Sequence, residues 1–307
     1  MTWRRCVAAL GIWTLLATVV LAQTKCKVLI VDGQNGHKWA ETTPVLKKVL
    51  EETGLFTVDL ATSPPKGGDM STFKPNFAAY KVVVSNYQGD SWNAETKKAL
   101  ADYVCGGGGL VIYHFACAAF PDWPEYNEMI GLGGWGGRDE KAGTYVRWKE
   151  GQIVRQTAPG ANDVRVDQRT KARRVIVGSH GPMQPFQIVI REPNHPITKG
   201  LPPAFMHVPD ELYGWLRGPA KNLTVLATAF APGGKWGGAD EHEPILFTVQ
   251  YGQGRVFQNA LGHTPVELKS VAFIATFQRG VEWAATGKVT QAVPADFPGP
   301  DKASVRN

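Results

Sequence analysis

The sequence predicts a three-layer α/β fold of the flavodoxin-like type, with a mostly parallel central sheet and helices on both faces. Two observations support this fold. First, short apolar, partly β-branched runs bounded by turn formers recur at Lys27–Val31, Phe56–Leu60, Lys81–Ser85 and Leu110–Tyr113, as in buried strands. Second, helical patterns separate these runs, and a strand–helix–strand alternation at this spacing specifies parallel pairing with right-handed crossovers.

The remaining elements follow from the same kinds of pattern. Apolar residues recur at helical spacing over Glu41–Thr53, Asn93–Val104 and Leu268–Ala285, and Asn93 is a suitable N-cap. A hairpin is predicted from Ile245–Gln250 and Arg255–Asn259, which flank a Tyr-Gly-Gln-Gly turn. Further strands are expected at Thr144–Trp148, Phe186–Ile190 and Leu223–Ala229.

Residues 1–22 have the pattern of a secretory signal peptide. Arg4 and Arg5 precede an uncharged, mostly apolar segment over Cys6–Val20, and Ala22 fits the small-residue cleavage site. An uncleaved membrane anchor is the alternative, but the apolar run is short for a helix that spans a bilayer. Cleavage would leave no stable membrane span, so we expect an exported protein, either periplasmic or extracellular.

One domain is expected over residues 23–287, with an insertion over 122–174 and a poorly ordered tail over 288–307. The chain has a formal charge of +6. Its densest basic stretch, Arg165–Arg174, has neither interleaved aromatic residues nor a nucleic-acid-binding motif. We therefore expect no nucleic-acid partner.

Three cysteines, Cys26, Cys105 and Cys117, would remain after cleavage. Cys26 directly precedes the first strand and Cys105 ends the helix before the fourth strand, so both are expected at the amino edge of the sheet. An odd number of cysteines in an exported protein allows one bridge and one free thiol. A Cys26–Cys105 disulfide is the prediction, with Cys117 at the opposite edge.

Histidines are predicted at the carboxyl edge of the sheet, where α/β folds bind their ligands. His114 follows the fourth strand directly, and His37 and His263 lie in loops at the same edge. A cluster of these three imidazoles would suit a divalent metal such as Zn²⁺, or would divide acid and base roles near neutral pH. The alternative is that they fasten loops by hydrogen bonds, because no H-x-x-x-H or H-E-x-x-H metal motif occurs.

Other polar residues at this edge complete the candidate site. In the DELY motif, Glu211 is the candidate general acid/base or metal ligand, and Tyr213 is a candidate substrate contact on the same side. Asp210 is expected to point away from Glu211, because adjacent residues of a strand face opposite sides. Asn86 and Tyr87, which follow the third strand, are further candidate substrate contacts.

The chain has ten tryptophans, and several fall in predicted loops. Aromatic rings in exposed loops can stack on the C–H faces of sugar rings, so Trp39 and Trp135 are candidate substrate contacts. For any single tryptophan the alternative is that it packs a loop onto the sheet. The loop tryptophans are Trp39, Trp92, Trp123, Trp135, Trp215 and Trp236.

Five motifs resemble those of the trehalose-utilisation (ThuA-like) family, in that family's order: GHKW, GGGLVIYH, NHPITKGLP, DELY and YGQGRVFQNALGHT. They span nearly the whole chain after the signal peptide. The family is similar to the class I glutamine amidotransferase fold, which implies a three-layer α/β sheet, and it is associated with sugar metabolism. Together with the loop tryptophans, the resemblance implies a small carbohydrate partner.

One departure from the wider superfamily concerns the nucleophile. Amidotransferases carry a cysteine within a G-x-C-x-G turn after the strand that ends here at Tyr113. His114 holds the corresponding place, and Cys117 has Phe115 and Ala119 where the glycines would stand. A strained turn that exposes a nucleophile is expected to need those glycines. A Cys-dependent glutamine amidotransferase is therefore not expected.

The sequence as a whole predicts a protein that acts on or binds a sugar or an oxidised sugar derivative. As a hydrolase or isomerase it would use His114 with Glu211, supported by His37 and His263. A non-catalytic carbohydrate-binding module and a metal-dependent hydrolase are the alternatives. Histidines clustered beside a carboxylate would favour an enzyme, and convergence of the three histidine nitrogens would favour a metal. No Gly-x-Gly-x-x-Gly fingerprint follows the first strand, which disfavours a nicotinamide dehydrogenase.

Overall fold

The structure, a computed structural model, describes residues 24–166, 169–234 and 237–307; the expected signal peptide lies outside them. The helices are α1 (Trp39–Glu51), α2 (Ala94–Cys105), α3 (Pro124–Ile130) and α4 (Val271–Thr286). The strands are β1 (Cys26–Asp32), β2 (Phe56–Thr62), β3 (Val82–Ser85), β4 (Gly109–Tyr113), β5 (Thr144–Lys149), β6 (Gln152–Gln156), β7 (Val164–Val166), β8 (Arg173–Val175), β9 (Ser179–His180), β10 (Gln184–Ile190), β11 (Ala204–Asp210), β12 (Tyr213–Gly214), β13 (Arg217–Gly218), β14 (Leu223–Ala231), β15 (Glu241–Tyr251) and β16 (Gly254–Asn259).

Five parallel strands form one half of the main sheet, in the order β16-β4-β3-β1-β2. Every residue of β3 and β4 is buried, which explains their almost unbroken apolar sequence. Helix α1 connects β1 to β2, and α2 connects β3 to β4. The side chain of Asn93 accepts a hydrogen bond from the Thr96 N–H and so caps α2. Helix α4 packs against β4, β16 and α1.

The other half of the sheet is antiparallel, so the sheet is mixed and the expectation of a mostly parallel sheet is wrong. β15 pairs antiparallel with β16, and β14, β10 and β11 continue the sheet outward. Only two residues separate β15 from β16, and a connection this short joins antiparallel neighbours. Strand β16 therefore lies where the two halves meet, with a parallel neighbour on one side and an antiparallel neighbour on the other.

The stretch over 122–174, expected as an insertion, partly extends the main sheet. It contains α3 and a hairpin of β5 and β6, and β5 also pairs with β13 and β15. β7 and β8 form a separate two-stranded sheet. Much of this stretch is thus attached to the antiparallel half of the fold through backbone hydrogen bonds.

The tail after Lys288, expected to be poorly ordered, makes specific contacts in the structure. The N–H of Val271, at the start of α4, donates to the Ser304 carbonyl, and Ser270 forms an antiparallel bridge with Val305. The first N–H groups of a helix have no partner within the helix, so the tail supplies an acceptor that α4 lacks. Arg306 also pairs with Asp296 at 2.8 Å.

The expected Cys26–Cys105 disulfide is not formed in the structure, where all three described cysteines are free. Strand β3 lies between β1 and β4. The start of β1 and the helix end before β4 are therefore about two strand spacings apart, roughly 10 Å, which exceeds the Cα separation that a disulfide spans. Cys105 instead lies against Gly252 in the β15–β16 turn. Among the described residues, no helix has the length and apolarity required to cross a membrane.

Candidate functional site

His114 occupies the first position after β4, at the carboxyl edge of the parallel strands. Its backbone is left-handed, with a φ of 44°. This conformation costs a non-glycine residue on the order of 1–3 kcal/mol and is typical of functional sites. The turn is therefore made without flanking glycines, contrary to expectation, and a histidine stands at its apex. A short 3₁₀ turn over His114–Ala118 continues the chain.

Both ring nitrogens of His114 have partners. Nδ1 lies 2.8 Å from the Ala260 carbonyl oxygen, and Nε2 lies 2.8 Å from the Tyr213 hydroxyl. Because a carbonyl oxygen only accepts, Nδ1 carries a proton; Nε2 then accepts from Tyr213 in the neutral ring, and donates to the Glu211 carboxylate 3.5 Å away when the ring is protonated. The two rings also stack, with centroids 4.4 Å apart. His114 is only 1% exposed, so Tyr213 and not solvent covers its free nitrogen.

The carboxylate of Glu211 lies among three imidazoles. Its oxygens are 3.3 Å from His180 Nε2, 3.5 Å from His114 Nε2 and 3.6 Å from His263 Nε2. The Glu211 side chain is 9% exposed, whereas those of His263 and His180 are 23% and 37% exposed. The carboxylate therefore has a buried wall on the His114 side and two accessible histidines on the solvent side.

His37 closes the cluster. Its ring lies 5.0 Å from the His114 ring and 4.5 Å from the His263 ring, centroid to centroid. One ligand atom each from His37, Glu211 and His263 lies within 4.8 Å of the other two. This group shares His37 and His263 with the expected metal set of His37, His114 and His263, but contains Glu211 and not His114, whose nitrogens are already hydrogen-bonded.

Asp210 holds the backbone around this cluster. Its carboxylate accepts from the N–H groups of Glu211, Gly262 and His263 and from Nε2 of His207 at 2.9 Å. Gly262 has a φ of 99°, and a Cβ there would lie 2.8 Å from Leu268, so only glycine fits the turn that presents His263. The carboxylate of Asp210 faces the turn and that of Glu211 faces the histidines, so the two perform separate roles.

The protonation of the cluster follows from burial and neighbouring charge. Burial, together with nearby His114, lowers the pKa of His37 to about 4, and Glu211 opposes the effect. Burial acts to raise the pKa of Glu211, but the contact with His114 and the charges of His180 and His263 hold this pKa below its usual value. At neutral pH the cluster thus combines an ionised carboxylate with a neutral His37 imidazole, which suits a base or a ligand.

Of the expected substrate contacts, Trp135 and Tyr213 lie at the cluster, whereas Trp39 lies on the wall of a separate cavity. The Tyr213 hydroxyl is 3.4 Å from His37 Nε2. The Trp135 ring is 4.6 Å from the Tyr213 ring and half-buried. Trp39 is half-buried on the wall of a cavity of about 420 Å³, which also has Gly36 and Gln88 on its walls.

Asn86 and Tyr87 are buried and hold the structure together. The amide of Asn86 donates to the Thr42 and Thr43 hydroxyls, and so fastens α1 to the end of β3. Tyr87 is fully buried, and its hydroxyl donates to the Asp90 carbonyl at 2.7 Å. Neither side chain has a free polar group that faces the histidine cluster.

The remaining loop tryptophans divide into two groups. Trp92, Trp123 and Trp215 are buried, with exposures of 3–5%, and pack loops onto the fold. Trp236 lies outside the described residues. A stacking role for the loop tryptophans therefore concerns Trp39 and Trp135.

Cys117 is fully buried. Burial raises the pKa of its thiol to about 12, an effect that Arg138 only partly offsets. At neutral pH the thiol is protonated and enclosed, which is the opposite of the exposed thiolate that a nucleophile requires.

His180 is a member of the cluster that no motif in the sequence identifies. It lies in the two-residue strand β9, where it pairs with Tyr213 of β12. Its SHGP surroundings contain no metal or catalytic motif, and a strand of two residues has no periodic pattern that would reveal this pairing. His195, His207 and His242 lie elsewhere: His207 is fully buried between Asp210 and Ser270, and His195 and His242 contact Trp283 and Phe230.

These features define an α/β protein whose large mixed sheet has a cluster of histidines and one carboxylate at the carboxyl edge of its parallel strands. The model of the ThuA family, described as trehalose utilisation, matches residues 27–284, and the chain belongs to this family.

Solved structures agree with this membership. A ThuA-like protein from Parabacteroides merdae is 41% identical, with a TM-score of 0.85; the match covers 92% of this chain and 98% of that one. A ThuA-like protein from Bacteroides uniformis is 18% identical, with a TM-score of 0.59 and coverage of 89% and 97%, and shares the fold. No curated protein matches the chain significantly.

Proposed function

We propose that this ThuA-family protein is an enzyme that acts on a sugar or an oxidised sugar derivative by acid–base chemistry, as a hydrolase or isomerase. The observation that supports this most is the position of the Glu211 carboxylate, within 3.6 Å of nitrogens of three histidines. A non-catalytic module has no use for an ionised, largely buried carboxylate among titratable groups, whereas proton transfer requires such an arrangement.

The proposed role of each residue follows from how exposed its side chain is. Glu211 and His263 have accessible side-chain atoms and would meet the substrate, with Glu211 as the base. His114 is enclosed and bonded at both nitrogens, so it would act through Tyr213 and Glu211 as a positioning residue. The strained backbone at His114 is consistent with a position kept for function and not for stability.

A carbohydrate substrate is supported by the surroundings of the cluster and by the family. The family description is trehalose utilisation. The loop that carries His37 also borders a cavity of about 420 Å³, a size suited to a small molecule, whose wall combines Trp39 with the polar groups of Gln88 and Asp90 but does not include the cluster residues themselves. An aromatic face with polar neighbours is the usual surface for a sugar ring. Export to the periplasm or cell exterior, which the apolar segment Cys6–Val20 supports, is part of the same proposal.

The test is a turnover screen of the purified protein against oligosaccharides and their keto derivatives, with and without chelator. A Glu211→Gln variant should lose at least about 100-fold in kcat. The matched control is Glu52→Gln, an exposed carboxylate at the far end of α1, which should retain full activity. Sugar binding without turnover, unchanged in Glu211→Gln, would overturn the enzyme and favour a carbohydrate-binding module.

A further inference from the structure

We infer that His37, Glu211 and His263 form a binding site for one divalent transition-metal ion, with Zn²⁺ as the reference ion. The inference rests on the proposed function only in its location, since metal binding can be measured without any substrate. Two imidazoles and one carboxylate are a donor set that zinc and related first-row ions accept, with positions left for water or substrate.

The geometry of the three residues is close to that of a metal site. Their ligand atoms lie within 4.8 Å of one another, so a point among them is at most about 2.8 Å from each atom. Zinc ligands lie at about 2.0–2.2 Å, so each ligand must move inward by roughly 0.7 Å. His37 and His263 belong to loops and are half-buried, and small ring rotations can supply this movement.

Unpartnered atoms support the inference independently of these distances. Oε2 of Glu211 and Nδ1 of His263 are buried and have no hydrogen-bond partner among the described residues. Leaving a buried polar atom unpaired costs about 1–3 kcal/mol, and more for a charged group. Glu211 is 93% buried, since only 7% of its surface is exposed. A cation beside its carboxylate would compensate for that burial.

Hydrogen bonds to the backbone also hold two of the three residues in place. The backbone N–H of His263 is held by Asp210 at 3.2 Å, and the N–H of Glu211 is held by the same carboxylate at 2.8 Å. His37 has the Tyr213 hydroxyl 3.4 Å from its Nε2. The backbone bonds fix where the chain places Glu211 and His263, whereas their side chains stay free to turn toward an ion. His114 is excluded as a ligand because both its nitrogens are already hydrogen-bonded.

The test is calorimetric titration of chelator-treated, tag-free protein with Zn²⁺ near neutral pH. We expect one ion per chain at micromolar Kd or tighter, and a rise in Kd of about 100-fold or more in Glu211→Gln and in His263→Gln. His195→Gln is the matched control, because His195 contacts Trp283 away from the cluster, and it should bind like the parent protein. Circular dichroism of each variant identifies any that fails to fold.

A second measurement keeps the inference testable if a variant does not fold. Co²⁺ added to the parent protein should give the visible absorption of a site with nitrogen and oxygen ligands, and equimolar Zn²⁺ should displace it. No stoichiometric binding, or equal binding by both cluster variants and the parent, would overturn the metal site. Absence of metal binding in a protein that turns over substrate would overturn only the metal site, whereas metal binding without any turnover would contradict only the proposed function.

Discussion

The carboxylate of Asp210 accepts a hydrogen bond from the backbone N–H of His263 at 3.2 Å, although 53 residues separate the two. The same carboxylate holds the N–H groups of Gly262 and Glu211. One buried charge thus fixes two members of the histidine cluster that come from different parts of the chain. Burial acts to raise the pKa of Asp210, but the hydrogen bond and charge of His207 hold it below its usual value.

Replacing Asp210 should therefore damage both stability and the site. Asp210→Asn places an amide among four donors, and loss of the charged acceptor should cost about 3 kcal/mol in the free energy of unfolding. Urea denaturation measures this cost, and zinc titration of the folded variant should show about 10–100-fold weaker binding. Unchanged stability together with unchanged zinc affinity would contradict the positioning role.

Tyr213→Phe removes the hydroxyl that donates to His114 Nε2 and leaves that nitrogen buried without a partner. We expect a loss of about 1–2 kcal/mol in stability and a fall of about 10-fold or more in kcat with little change in KM. Tyr145→Phe is the matched control, since its buried hydroxyl donates to the Ile176 carbonyl. A similar kcat for the two variants would show that the His114–Tyr213 pair is only structural.

His195 should make the protein less stable in mild acid. Burial lowers its pKa to about 4, with Glu192 opposing the effect, whereas the unfolded chain has the ordinary value of 6.5. Between these values the unfolded state binds more protons, so stability falls as the pH drops from about 6.5 to 4. His195→Gln should remove on the order of 1–2 kcal/mol of this dependence, after allowance for solvent screening. If the free energy of unfolding depends on pH equally in the parent protein and the variant across this range, His195 is not the group responsible.

Cys117 should be chemically silent in the folded protein. Its thiol is buried and protonated, whereas Cys105 is exposed. Brief alkylation followed by mass spectrometry should label Cys105 and leave Cys117 unmodified until denaturant is added. Cys117→Ala should keep any activity and cost about 1 kcal/mol of stability. Rapid labelling of Cys117 in the native state would contradict its burial.

The parallel half of the fold is encoded strongly in the sequence. Strands β1, β3 and β4 are compact apolar runs, β2 begins with an alternation of buried and exposed residues, and α1 and α2 have an amphipathic spacing, so element type and order follow directly. The position of His114 follows too, because the end of a buried strand at Tyr113 is visible in the residue pattern. Whether two strands run parallel can be predicted only from the segment that connects them. Where a helix connects them, as between β1 and β2 and between β3 and β4, the predicted parallel direction is correct.

The strand order in the antiparallel half of the sheet could not be predicted from the sequence. Strand β10 pairs with β14 over about 40 residues of chain and with β11 across a loop longer than a tight turn, and no local pattern specifies their direction or order. The tail was expected to be disordered from its proline and polar content, yet its contacts with Ser270 and Val271 are made by backbone groups, which composition does not reveal. Cys26 and Cys105 were both placed at the amino edge, but strand order decides which residues along that edge are neighbours.

The site residues show a similar division. The convergence of His37, His263 and Glu211 could be anticipated from strand ends and motifs. Asn86 also follows a strand end, but its amide donates hydrogen bonds to Thr42 and Thr43. Residue type alone does not distinguish such a structural role from a substrate contact. His180 joins the cluster through the pairing of two-residue strands, an arrangement set by tertiary packing.

The pairing of β4 with β16 also determines when the cluster can form during folding. His114 and Ala260, which are hydrogen-bonded at the ends of these strands, are 146 residues apart in the chain. Closing so long a loop is entropically costly, and chains rich in distant contacts fold slowly. The N-terminal β1–α1–β2 unit can form early, but the cluster, whose residues come from five segments of the chain, cannot exist until β16 has inserted between β4 and β15. A chain still emerging from the ribosome therefore contains His37 and His114 long before it has a site, and recovery of the site should be among the slowest steps of refolding.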